Sequence, residues 1–247
     1  MTDALPRVWA SEPGSFVADA AATVAREIKH SIAERGHCRV ALAGGGTPRP
    51  IYEAMARRTD IDWAAVSFIW GDERGVGPDD DSSNYRMACR AWLDHIDVPK
   101  QAVVRIEGER PAEAARSVFE QALGETPIDV VLLGMGGDGH TASLFPGDPA
   151  SDQVGARVVV TQSPVPPTTR ISLSMRAINE AHVVLMFVTG QGKAARLAEV
   201  WVQLQTTAPL LPAARVRPDS GNLHWLLDRA AAQQLPQDRV QDPRTQL

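Results

Sequence analysis

The chain has 247 residues, is 44% hydrophobic and carries a formal net charge of −5. That is enough for one large α/β domain or two small ones, and the charge argues against nonspecific nucleic-acid binding. Its two cysteines, Cys38 and Cys89, stand apart from each other and from any Cys/His cluster, which excludes a disulfide framework and a structural zinc site. No stretch approaches the 18 apolar residues of a membrane span, and Met1 to Pro13 lacks a basic segment followed by an apolar core, so a cytoplasmic chain is expected, with no membrane or nucleic-acid partner.

Residues 14–35 read as an amphipathic helix: Phe16, Ala20, Val24, Ile28 and Ile32 recur every four residues, and Gly36 is placed to stop it. Cys38 to Ala43 reads as a strand. Gly44-Gly45-Gly46-Thr47-Pro48 follows, with Thr47 suited to cap a helix through about Arg57 and Pro48 suited to its first position. Val66 to Trp70 is a second strand, followed by a loop from Gly71 through Asp72, Glu73 and Arg74 into an acidic turn at Pro78 to Asp81. Ser83 or Asn84 can cap the next helix, which carries Met87 and Trp92. Val103 to Ile106 reads as a short strand, and Pro111 opens a helix to about Leu123.

Ile128 to Leu133 is an apolar run of buried-strand type, ending in a glycine-rich turn, Gly134 to His140. Val158–Val160 and Arg170–Leu173 are later strands, split by a proline-rich turn. His182 to Val188 is the longest apolar strand; it leads through Gly190-Gln191-Gly192-Lys193 into a helix to about Gln203. The tail from about Gln234 is polar and expected to fray. This alternation predicts a mostly parallel, Rossmann-like sheet with helices on both faces. One domain over 1–247 is expected, with 150–185 the stretch from which a subsidiary lobe would be built.

In such a sheet the strand-to-helix loops gather on one edge, where ligands bind. Gly44, Gly45, Gly46 and Thr47 offer backbone N–H groups and a hydroxyl at a helix N-terminus, a cradle for an anion or simply a tight turn. The spacing is neither a Walker loop nor a dinucleotide fingerprint. Arg74 reads either as part of a local ion pair or as a phosphate ligand, with Asp72 orienting a hydroxyl or a catalytic group. Lys193 reads as an ordinary surface lysine or as a point charge for phosphate, and Arg170 as an edge cation or a ligand for the acid group of a substrate. His140 differs from the other five histidines in its company: Asp138 two residues before it, glycines around it and a strand end behind it. Imidazole suits proton transfer near neutral pH. Asp138 and His140 make no zinc site without a third ligand. Ser143 follows without a nucleophile elbow.

Taken together, Gly44–Pro48, Gly71–Arg74, Ser83–Tyr85, Gly134–Gly147 and Gly190–Lys193, with Leu211–Ala214 and Trp225–Ala231, resemble the 6-phosphogluconolactonases and, more loosely, the glucosamine-6-phosphate deaminases. The resemblance runs from about residue 40 to 231. It departs at Val76-Gly77-Pro78, where the family usually has Val-Pro. It implies an α/β sandwich around a parallel sheet, His140 as the catalytic base, and Arg74 and Lys193 at a phosphate. The implied reaction is hydrolysis of 6-phospho-D-glucono-1,5-lactone, the second step of the oxidative pentose phosphate pathway, with no cofactor and no metal.

On that reading His140 activates water, and Asp138 or Asp72 holds the imidazole. Backbone N–H groups of Gly136, Gly137 and Gly139 face the oxyanion. Gly44, Gly45, Gly46, Thr47, Arg74, Arg170 and Lys193 hold the sugar phosphate. A monomer or weak dimer is expected. Two rivals are a sugar-phosphate deaminase or isomerase, which needs a second acid just beyond the histidine, and a non-catalytic sugar-phosphate sensor.

Overall fold

A computed structural model describes residues 5–12, 14–153, 155–208 and 210–243. The readings of Met1–Pro13 and of the extreme tail fall partly on residues 1–4, 13 and 244–247, outside the described residues. From one edge, the central parallel sheet runs β10 (Val240–Gln241), β1 (Arg7–Ser11), β9 (Leu223–Asp228), β8 (Val183–Val188), β5 (Val130–Gly134), β2 (Cys38–Leu42) and β3 (Val66–Trp70). Strands buried on both faces read as unbroken apolar runs, which is why β2, β3, β5 and β8 are visible in the sequence.

Helix α1 (Phe16–Arg35) buries Ala20, Ala21, Val24, Ala25 and Ile28 and ends at Gly36, whose φ of 75° is the left-handed turn that glycine permits. Helix α2 (Pro48–Met55) starts at Pro48 as expected, but Thr47 does not cap it; its hydroxyl lies 3.1 Å from that of Thr189 instead. Beneath this helix Tyr52, Trp63, Phe68 and Trp92 form an aromatic cluster with ring centroids 5.2–6.4 Å apart. The Tyr52 hydroxyl donates to Ala43 O (2.9 Å) and accepts from Ala43 N (2.8 Å), pinning the residue before the glycine loop to the core. The remaining helices are α3 (Asn84–Ala91), α4 (Ala112–Leu123), α5 (Met175–Asn179), α6 (Ala194–Gln203) and α7 (Arg229–Ala232).

A second, antiparallel sheet holds β4 (Asp72–Arg74), β7 (Thr169–Leu173) and β6 (Val158–Gln162) in that order. Residues 72–74, expected in a loop, are therefore a strand. Pairing with β7 makes them one, since three charged side chains give no apolar signal. The 103–106 stretch makes only a single bridge, Val103 to Phe68. The tail does not fray at 234: Leu235 is buried, and Val240 and Gln241 pair with Val8 and Trp9.

Candidate active site

The turn after β5 is built around its glycines. Gly136 N donates to His140 O (2.8 Å), Gly139 N to Gly136 O (3.2 Å), and Thr141 Oγ1 to Gly134 O (2.8 Å). This folds the chain back so that His140 Nδ1 lies 2.6 Å from Asp138 Oδ1, which also accepts from His140 N at 3.1 Å. A Cβ on Gly136 would sit 2.2 Å from His140 Nδ1 and 2.5 Å from Asp138 Oδ1, so only glycine leaves room for the pair. Partial burial works to raise the Asp138 carboxyl, but the hydrogen bonds and charge of His140 outweigh it and hold Asp138 below its ordinary value. With Nδ1–H donated to Asp138, neutral His140 presents Nε2 as a lone-pair acceptor. The ring rests on Phe145 (centroids 4.9 Å apart) and the side chain is 34% exposed.

Asp72 takes no part in holding the imidazole. It accepts from Ser143 Oγ (2.6 Å) and Asn84 Nδ2 (3.3 Å) and is buried. Of the two carboxylates the sequence offers His140, the structure brings it to Asp138. The same contact commits the Ser143 hydroxyl to a structural bond.

Two of the three amides expected at an oxyanion are already used. The N–H groups of Gly136 and Gly139 close the turn itself, which corrects that expectation, while Gly137 N–H has no partner among the described residues. The carbonyl of Gly137 accepts from Arg196 Nε.

Two cavities meet at His140. One, of about 300 Å³, is bordered by Gly44, Gly45, Gly46, Thr47, Lys193 and His140. Gly45 has φ of 94°, turning the loop so that Gly44, Gly45 and Gly46 keep N–H groups without partners among the described residues. Lys193 closes a 3-10 turn (Gln191–Lys193) before α6, its N–H donating to Gly190 O (3.0 Å), and its ammonium has no ion-pair or hydrogen-bond partner among the described residues. Gly190, at the head of that turn, donates its N–H to the Asp228 carboxylate at 2.9 and 3.1 Å.

The other cavity, of about 380 Å³, is bordered by Arg74, Arg170, Asp138, His140, Ser163 and Val165. Arg74 and Arg170 face each other in register across β4 and β7. Arg170 is only 6% exposed; burial first, and then the charge of Arg74, lower its pKa. Arg170 Nη2 donates to Ser163 Oγ (3.3 Å), while Arg170 Nη1 and Arg74 Nε are buried without partners among the described residues. Buried guanidinium N–H groups left open beside a like charge are costly unless an anion completes them.

The sequence reading overlooked two residues that shape this corner. Glu73 is buried and accepts from the backbone N–H groups of Arg74, Asn84 and Tyr85, each at 2.8 Å, and from Ser83 Oγ at 3.0 Å. Burial pushes its carboxyl up despite those bonds. It ties the start of α3 to β4. Asn84 in turn donates to Asp72 O (2.9 Å), and its side chain lies where a Cβ on Gly44 would stand. The adjacent Ser83-Asn84 signal was legible as a helix cap, which Ser83 is, but not as a contact to Asp72.

Residues 11–225 match the sequence model of the glucosamine-6-phosphate isomerases/6-phosphogluconolactonase. The chain is 38% identical over 222 residues to a 6-phosphogluconolactonase of Synechocystis sp., covering 86% of this chain and 90% of that one. It is 36% identical over 236 residues to that of Mycobacterium tuberculosis, covering 90% and 94%. The structure of 6-phosphogluconolactonase from Trypanosoma brucei superposes with a TM-score of 0.83 at 28% identity, covering 94% of this chain and 100% of that one. In fold alone, it is also similar to a monomeric glucosamine-6-phosphate deaminase, with a TM-score of 0.77 at 23% identity over 92% and 99% of the two chains. The family model and the relatives, matched over most of its length, show that the chain belongs to the glucosamine-6-phosphate isomerase/6-phosphogluconolactonase family.

Proposed function

We propose that the chain hydrolyses 6-phospho-D-glucono-1,5-lactone to 6-phospho-D-gluconate, with His140 as general base. The observation that carries this reading is the His140–Asp138 pair at 2.6 Å, standing between two cavities lined by unpartnered cationic and amide donors. The phosphate lies on Gly44, Gly45, Gly46 and Thr47 under Lys193, where helix-start amides and a point charge favour an anion. The lactone end then reaches His140 and the Arg74–Arg170 side.

Nε2 of neutral His140 takes a proton from water as its oxygen bonds to C1. The carbonyl electrons move to the exocyclic oxygen, which the Gly137 N–H and the arginine pair stabilise. Collapse breaks the bond from C1 to the ring oxygen, and the imidazolium returns its proton to that oxygen. Asp138 keeps Nδ1 protonated and balances the imidazolium charge. General acid–base help of this kind is worth roughly 10²–10⁴-fold, and the phosphate grip adds positioning.

A deaminase needs an acid just beyond the histidine. The acid in the 141–149 stretch is Asp148, and its carboxylate is occupied by the backbone N–H groups of Ala150 (2.9 Å) and Gln162 (3.0 Å). The test is hydrolysis of freshly generated 6-phosphogluconolactone by the full chain, measured against spontaneous opening, with glucosamine 6-phosphate in parallel. Acceleration with the lactone alone is expected. Deamination without lactone hydrolysis would overturn the assignment.

A further inference from the structure

The glycine loops lie at the C-terminal ends of the parallel strands; a different cationic group gathers at their N-terminal ends. Arg7 opens β1 and pairs in register with His224 on β9. Helix α1 brings Arg26, Glu27 and His30, and Arg35 from its end, while His182 precedes β8. These side chains border a cleft of about 300 Å³, as large as the glycine-loop cavity. From His224 to Asp228, which holds the Gly190 turn, β9 spans about 13 Å at ~3.3 Å per residue, so the cleft is separate from the catalytic side.

Charge in the cleft is unbalanced. Arg26 pairs with Glu27 (3.1 Å) and Arg35 with Asp129 (2.7 Å). The Arg7 guanidinium has no hydrogen bond or ion pair to any described residue. His224 is 5% exposed, and its Nδ1 is buried with no partner among the described residues. Burial, with the charges of Arg7 and Arg26, pushes its pKa down to about 4. With Arg26 and Arg35 each paired, Arg7 is left as the lining guanidinium without a carboxylate, beside the three imidazoles of His30, His182 and His224. Arg7 offers a planar fork of donors suited to phosphate oxygens, and imidazole N–H groups add to it. The lining has no Trp, Tyr or Phe to stack a base.

We infer that this cleft is a second anion site, which binds a small phosphate group, free or as a phosphate monoester, independently of the catalytic cavity. The test follows the imidazole resonances of the full chain by NMR at fixed pH and ionic strength, titrating inorganic phosphate in one arm and glycerol phosphate in another. His140 reports the catalytic side; His30, His182 and His224 report the cleft. Saturable shifts of His182 and His224 are expected, at a midpoint distinct from that of His140. An arm that responds alone identifies the free or the esterified group as the ligand. In Arg7→Ala the cleft midpoint rises at least tenfold, while the His140 response and lactone hydrolysis stay native. Arg26→Ala weakens it in the same direction and serves if Arg7→Ala fails to fold. A response at His140 alone, equal shifts with chloride, or an unchanged cleft midpoint in a folded Arg7→Ala or Arg26→Ala chain would overturn the inference.

Discussion

Substituting Gly136 tests the proposed catalytic pair without touching either of its members. A Cβ at this position would stand 2.2 Å from His140 Nδ1, 2.3 Å from Cε1 and 2.5 Å from Asp138 Oδ1, where ordinary contact begins at 3.4 Å. Ring and carboxylate must therefore each retreat by about 1 Å. A displacement of that size at a reacting group costs about 100-fold in rate, so Gly136→Ala should lower kcat about 100-fold. Its effect on KM should be small, because the phosphate cradle lies elsewhere. Gly77→Ala, outside the site, is the control: there the new methyl meets nothing within 4 Å. Steady-state lactone hydrolysis of both variants, corrected for spontaneous opening, with thermal melts to verify folding, decides the matter. A folded Gly136→Ala chain with kcat within twofold of native would refute the reasoning.

Other parts of the molecule yield further expectations. Lys193→Ala removes a cation with no partner among the described residues, so it should cost little stability. It should reduce kcat/KM about 10- to 100-fold, the loss of one charge-assisted bond of about 1.5–3 kcal/mol, as read by steady-state kinetics. Trp92 is fully buried against Tyr52, Trp63 and Phe68; Trp92→Ala should destabilise the fold by about 3–5 kcal/mol in denaturant titrations. His224 titrates at about 4 in the fold, against about 6.5 in an unfolded chain. Between those values the unfolded state binds the extra proton, so stability falls as pH drops, by about 1.4 kcal/mol per pH unit and about 3 kcal/mol in all. His224→Gln should flatten that fall, as measured by denaturation midpoints from pH 7 to pH 4 in phosphate-free buffer.

The sequence reveals this fold where burial leaves a simple mark. Val183–Val188 and Val130–Gly134 are covered on both faces and so are apolar throughout. Asp72–Arg74 leaves no such mark, because β7 makes it a strand from outside. Val240–Gln241 is too short to show a pattern, and Arg7–Ser11 and Leu223–Asp228 mix polar residues into their runs. In the site, His140 and Asp138 stand two residues apart on a glycine turn, so their meeting is readable from spacing. The choice between Asp138 and Asp72 is not: it depends on Ser143 and Asn84 reaching Asp72 first, contacts spanning 71 and 12 residues. Nor is the closeness of Arg74 and Arg170, which follows from the β4–β7 register. Likewise the amides of Gly136 and Gly139 look free in the sequence and are consumed by the turn they create.

The central claim is that His140 performs the proton transfer while other groups hold the substrate. It is tested most directly by His140→Ala, measuring lactone turnover and binding of the product 6-phosphogluconate on the same preparation. The account predicts turnover reduced by roughly 10²–10⁴-fold with product affinity within a few-fold of native. Turnover retained while product binding is lost would contradict it, and would make His140 a substrate ligand instead of the base.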